Sequence, residues 1–414
     1  MLCRAADQQI TLRVRCAVLV REAAMNLDPA LLERIRERAA GFDRDNRFFD
    51  DDLHELRAAG YLRPRPLLET IRDQRLLAAH APATALGLNM HHVWMGLAQV
   101  LHARGDDSLD WVLRDGEAGE LFAFGISEPG NDEVLWDSST TVEQVDGGFA
   151  FTGTKVFTSL APAWTRLGVF GRWESPDGPR LVHGVVTRDA VDDGTIEILD
   201  DWDTLGMRAT QSHTTRLHGA VVPDARVTRI LPVGPNPDPF VFGIFACFLL
   251  GIGSVYAGVA DRALQLAVGS AQSRVSRASG LPVADDPQVR WALADAALAI
   301  DALAPDLESL AADVDGLVDR GAGWFRALTG AKYRAVETAR AVVDASARVA
   351  GGSGYRSSAE LSRLQRDVLA GVFHPSDAAS VHRTVAANLF DWGSALERGA
   401  EPQWGSAATP APVW

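Results

Sequence analysis

Several short segments carry residues whose types and spacing could do chemistry. The first, Phe122 to Gly130, is an apolar run closing on Ser127, Glu128 and a Pro129-Gly130 turn, which presents a hydroxyl and backbone groups where a strand stops. The second, Gly153 to Ser159, reads as a strand whose alternation puts Lys155, Phe157 and Ser159 on one face. An aromatic ring beside a hydroxyl suits the stacking and bonding of a flavin ring. The third, Trp202 to Arg208, is followed by Val221-Val222-Pro223-Asp224. The fourth, Ala350-Gly351-Gly352-Ser353-Gly354-Tyr355, has Arg366-Asp367 twelve residues past its last glycine. The imidazoles of His91, His92 and His374 could exchange protons near neutrality. Adjacent histidines on a helix point about 100 degrees apart and no HExxH spacing occurs, so zinc is not expected. Gly251-Ile252-Gly253 with Gly258 lacks both the spacing and the strand-turn context of a dinucleotide fingerprint.

The elements that must hold these segments fall into three stretches. Residues 25–119 have helical spacing, with Leu31, Leu32, Ile35 and Ala39 on one face and Asp28-Pro29 as cap and first turn. Residues 120–235 are richer in β-branched and aromatic residues. Here Thr140 to Val145 and Phe149 to Thr158 flank the hairpin signal Asp146-Gly147-Gly148, and further short strands are expected near residues 166–170, 181–186, 195–199 and 214–222. Residues 236–398 return to long Ala-rich and Leu-rich helical segments. The expected fold class is α+β: a helical N-terminal domain, a β-barrel-like middle domain and a C-terminal four-helix bundle. Residues 1–24 and 399–414 are expected to be a disordered extension and tail. The uncharged stretch Pro239 to Ala260 is close to membrane-spanning length, but its glycines and missing basic flank favour a buried bundle helix.

A net charge of -14 with no compensating basic run argues against a nucleic-acid partner. Three cysteines, Cys3, Cys16 and Cys247, with no CxxC pair argue against a disulfide framework and fit a cytoplasmic location.

Taken in order, the segments resemble the acyl-CoA dehydrogenase family, whose Thr-Glu-Pro-Gly, Gly-x-Lys-x-(Trp/Phe)-Ile-Thr, Leu-Gly-Met-Arg and Gly-Gly-x-Gly-Tyr…Arg-Asp signatures follow the same sequence. The resemblance covers about Asp28 to Leu396. It implies an FAD cofactor, with Phe124, Ile126 and Ser127 on the pyrimidine side of the isoalloxazine, Phe157 stacked on the ring and Ser159 bonding near N5. It also implies that Arg274 meets the diphosphate of a neighbouring subunit's FAD beside Gly351 and Gly352, hence a homo-oligomer, by analogy a homotetramer.

The chain departs from the family where the chemistry is decided. Family dehydrogenases use a glutamate to take the substrate's α-proton while hydride passes to flavin N5. Counting on from Arg366-Asp367, the matched position falls on Pro375, and the family's other position falls near Phe248. The Glu-Pro-Gly turn runs into Asn131-Asp132, without the Ala-Gly-Ser-Asp continuation whose serine helps hold CoA in many relatives. Two readings follow. In the first, an FAD-dependent dehydrogenase oxidises an acyl thioester such as an acyl-CoA, with His374 or an unseen carboxylate as base and an external electron acceptor. In the second, a flavin-dependent monooxygenase of the same fold receives reduced flavin from a reductase and uses oxygen, with His91, His92 and His374 near the flavin.

Overall fold

A computed structural model describes residues 27–131 and 133–397, the last seven by backbone alone. The expected extension and tail lie outside the described residues, as do Met25 and Asn26 at the expected domain start. The described residues open with helices α1 (Pro29–Asp45), α2 (Asp50–Ala58), α3 (Leu67–Ala78), α4 (Pro82–Ala103) and α5 (Asp110–Glu117). Asp28 caps α1 by accepting from the Ala30 amide at 2.9 Å, with Pro29 in the first turn. Leu31, Leu32, Ile35 and Phe42 form its buried stripe.

Eight strands follow: β1 (Phe122–Gly125), β2 (Thr141–Val145), β3 (Gly148–Lys155), β4 (Arg166–Ser175), β5 (Gly178–Thr187), then helix α6 (Asp189–Asp192), β6 (Ile196–Ile198), β7 (Thr215–Pro223) and β8 (Val227–Pro232). They make one mixed sheet in the order β6-β7-β3-β2-β4-β5-β8, with β1 pairing β4 in parallel. Among the described residues, the end strands β6 and β8 do not pair with each other. The β2–β3 hairpin closes with Val145 opposite Gly148, and Gly147 takes the positive φ of 76° that such a tight turn needs.

The remaining helices are α7 (Pro239–Ser273), α8 (Pro287–Asp301), α9 (Leu303–Asp315), α10 (Gly323–Ala350), α11 (Glu360–Asp367) and α12 (Ala378–Glu397). Helix α7 alone among the described residues is long and apolar enough to cross a membrane, and almost all of its most apolar stretch is buried against protein. Four of its glycines, Gly243, Gly251, Gly253 and Gly258, are contact points. A Cβ at Gly258 would lie 2.2 Å from the Arg75 carbonyl oxygen, and one at Gly251 would lie 1.9 Å from Asn89 Oδ1. The glycine spacing in α7 therefore lets it approach α3 and α4 closely. Arg75 then clamps Asp261 through two bonds of 2.6 and 2.8 Å.

Candidate active site

The segment after β1 is built around one buried ion pair. Glu128 Oε1 accepts from Lys155 Nζ at 2.6 Å, and both side chains are sealed from solvent. Glu128 also accepts from Ser138 Oγ (2.6 Å), the Ser139 amide (2.7 Å), Thr140 Oγ1 (2.7 Å) and Asn131 Nδ2 (2.9 Å). Burial alone would raise its pKa, but the Lys155 ammonium and these donors hold it down at about 2. Burial lowers Lys155 to about 8, with Glu128 opposing part of that shift. Lys155 also donates to the Phe170 carbonyl at 2.7 Å and sits over the Phe170 ring. The turn at Glu128 is thus fixed to the end of β3, and the Val156 amide donates to the Ser127 carbonyl at 2.9 Å.

This anchoring corrects the expected alternation. Lys155, Phe157 and Ser159 do not share a strand face: β3 stops at Lys155, which is fully buried, while Phe157 is 62% exposed. Phe157 holds a left-handed backbone at φ 57° and meets Trp202 edge-on at 6.1 Å. A large exposed aromatic in a strained conformation carries a free-energy cost that a bound flat ring would offset. Ser159 Oγ lies 2.8 Å from Ser212 Oγ, which lies 2.8 Å from Thr210 Oγ1, so its hydroxyl belongs to a buried chain. Phe124 and Ile126 are buried, with Phe124 edge-on to Trp94 at 5.3 Å, and Ser127 is half-buried.

Two motifs read separately in the sequence meet in space. The Met207 amide donates to Asp367 Oδ1 at 2.6 Å, and Arg366 reaches the Leu205 carbonyl at 2.9 Å while pairing with Asp43 of α1. A Cβ at Gly206 would lie 2.3 Å from the Arg366 carbonyl oxygen, so only glycine permits this approach. Arg208 donates through Nε to the Asp43 carbonyl at 2.9 Å. The Leu-Gly-Met-Arg segment is therefore a junction joining all three parts of the chain.

The histidines separate. His91 lies close to two backbone groups, with Nε2 2.7 Å from the Leu62 carbonyl oxygen and Nδ1 accepting from the Phe122 amide at 3.2 Å. This is a structural role, and it corrects the expectation that His91 serves a flavin. His92 is buried edge-on to Tyr61 at 4.8 Å, and its Nε2 has no partner among the described residues. Burial holds its pKa well below the usual value. His374 Nε2 lies 3.0 Å from the hydroxyl of the fully buried Tyr256, and burial with the nearby Lys332 ammonium lowers the ring to about 3. No ring contact or hydrogen bond joins His92 to His374 among the described residues.

Arg274 donates from Nη1 to the Val349 and Ala350 carbonyls at 2.7 and 2.9 Å, satisfying the end of α10 in its own chain. Gly351 follows at φ 63°, and Gly352 faces open space. The Glu128–Lys155 pairing and the role of Lys332 escaped the sequence reading, although composition held a signal. The chain has only two lysines, Lys155 and Lys332, and both are buried. Where surface cations are all arginine, a lysine marks a place needing a compact ammonium.

Among the described residues no group of three potential metal ligands occurs. The exposed Phe157, the anchored Ser127 turn and the Ser159 hydroxyl chain fit a flavin ring.

The chain's relatives agree. Residues 250–376 match the family model described as acyl-CoA dehydrogenase, C-terminal domain. YdbM of Bacillus subtilis (strain 168), provisionally named an acyl-CoA dehydrogenase, is 27% identical over 87% of this chain and 95% of its own. Amino sugar nitrososynthase DnmZ of Streptomyces peucetius is 28% identical over 75% of this chain and 83% of its own. The structure of KijD3 with FMN and dTDP-3-amino-2,3,6-trideoxy-4-keto-3-methyl-D-glucose superposes with a TM-score of 0.75 at 26% identity, covering 91% of this chain and 93% of that one. Along most of its length the chain is thus similar to flavoenzymes of the acyl-CoA dehydrogenase fold, and residues 250–376 match that family's C-terminal domain.

Proposed function

We propose that this protein is a flavin-dependent monooxygenase that takes reduced flavin from a partner reductase and transfers one oxygen atom to a small molecule. The carrying observation is the state of His374. The two positions where the family places its base fall on Pro375 and near Phe248, and His374 stands beside the first with Nε2 engaged by Tyr256. A ring whose pKa is lowered to about 3 is a poor acceptor for a substrate α-proton. As a neutral imidazole it serves better as a hydrogen-bonding group toward oxygen or substrate.

Bound reduced flavin supplies the two electrons that split dioxygen, one oxygen atom entering the substrate and the other leaving as water. The chain's residues bind and shield. Phe157 offers its face to the ring, the Ser127 turn presents backbone groups, and Ser159 supplies a hydroxyl held by Ser212. The resemblance to nitrososynthases makes a nucleotide-linked amino sugar the first substrate class to try.

FAD was the cofactor expected from sequence, and FMN is an equal candidate in this reading. The Arg274 guanidinium is already engaged by its own chain, which favours a flavin held mainly by its ring system. A cytoplasmic homo-oligomer, by analogy a tetramer, is proposed on the family resemblance. The test supplies FMN or FAD with a flavin reductase and NADH, adds a nucleotide amino sugar under ¹⁸O₂, and reads label in the product. Label in product supports the reading. Its absence, together with anaerobic oxidation of an acyl-CoA by the flavin-loaded protein, would return the chain to the dehydrogenases.

A further inference from the structure

We propose that Tyr256 and Lys332 hold His374 as a neutral ring with its proton on Nδ1, so that His374 meets the site as a hydrogen-bond donor and not as a base. The inference rests on the reading that His374 lines the flavin site. Tyr256 is fully buried, and among the described residues its hydroxyl has one partner, His374 Nε2 at 3.0 Å. A buried phenol keeps its proton bonded. If Nε2 carried the ring proton, it would donate to the phenol oxygen and strand the phenol's own hydrogen. Tyr256 therefore donates, Nε2 accepts, and the ring proton sits on Nδ1. Nδ1 has no bonded partner among the described residues and is not among the sealed atoms, which leaves it to donate outside the chain.

Lys332 fixes the segment that carries the ring. Its Nζ donates to the carbonyls of Gly371 (3.1 Å), His374 (2.9 Å) and Ser376 (2.8 Å). Three converging acceptors use all three ammonium protons, which a planar guanidinium could not match. This explains why one of only two lysines in the chain stands here. Asp377 and Glu337 act on Lys332, and Asp367 acts on Tyr256, whereas Lys332 is the charge that acts on the His374 ring and opposes its protonation. Tyr256 and Lys332 are positioning residues: one sets the tautomer and the other sets the loop.

The test is NMR of the flavin-loaded protein carrying ¹⁵N,¹³C-histidine, with the His374 signals identified by their loss in His374→Gln. A neutral ring protonated on Nδ1 across pH 6 to 8 is expected. In Tyr256→Phe the tautomer should shift toward Nε2–H, and the fraction of consumed oxygen recovered as product should fall about tenfold. An Nε2–H ring or an imidazolium in the wild type, or a tautomer unmoved in Tyr256→Phe, overturns the inference. The tautomer is read without turnover, so it stands or falls separately from the oxygenase reading, which is tested by ¹⁸O₂ labelling and by anaerobic flavin reduction.

Discussion

Lys155 Nζ lies 2.6 Å from Glu128 Oε1 with both side chains at zero exposure, joining the turn after β1 to the last residue of β3. Removing one partner leaves the other charge buried and unpaired. Lys155→Met should cost about 3–5 kcal/mol in urea denaturation, and Glu128→Gln with Lys155→Met should recover part of it. A single variant within about 1 kcal/mol of wild type would show that the pair does not hold the turn.

Gly206 packs against the Arg366 carbonyl, where a Cβ would sit 2.3 Å away. Gly206→Ala should separate the Met207 amide from Asp367 and destabilise the protein by about 1–3 kcal/mol, as for other overpacked sites. A melting curve superposable on wild type would refute the close approach.

Phe157 is the reverse case, because it is exposed and touches little of its own chain. Phe157→Ala should leave stability within about 0.5 kcal/mol while weakening flavin binding about tenfold, the scale of one lost aromatic stack. Fluorescence titration with FMN and FAD reads the second effect. Undiminished affinity would remove Phe157 from the cofactor site.

Residues with local signatures were legible in the sequence. Asp28-Pro29 announced α1, Asp146-Gly147 announced the hairpin, and the apolar run from Pro239 announced a buried helix, since each depends on near neighbours. The Lys155 face was misread because a long-range bond to Glu128 ends the strand before alternation can reach Phe157. The meeting of Met207 with Asp367, 160 residues apart, and the Tyr256–His374 contact, 118 apart, are tertiary and left no periodic trace. Adjacent His91 and His92 looked equivalent as sequence, yet only His91 found partners for both ring nitrogens.

Acid should unfold this protein early. Burial lowers His91 to about 4 and His183 and His374 to about 3, so below the ordinary value near 6.5 the unfolded chain binds more protons. Asp52 and Asp367, raised by burial to about 6, act in the opposite sense and gain stability as pH falls below 6. The histidines are more numerous and more shifted, so stability should fall from pH 6.5 downward. Calorimetry should show Tm lower by on the order of 10 °C at pH 5 than at pH 7. A flat profile over that range would contradict buried neutral histidines.

The most direct test of the oxygenase account is the flavin spectrum when candidate substrates, acyl-CoAs included, are added to the oxidised, flavin-loaded protein under argon. The account predicts that the flavin stays oxidised with every substrate, and that product forms only when reduced flavin and oxygen are both supplied. Anaerobic bleaching by an acyl-CoA would mean that hydride passes to the flavin without oxygen, and would contradict the account.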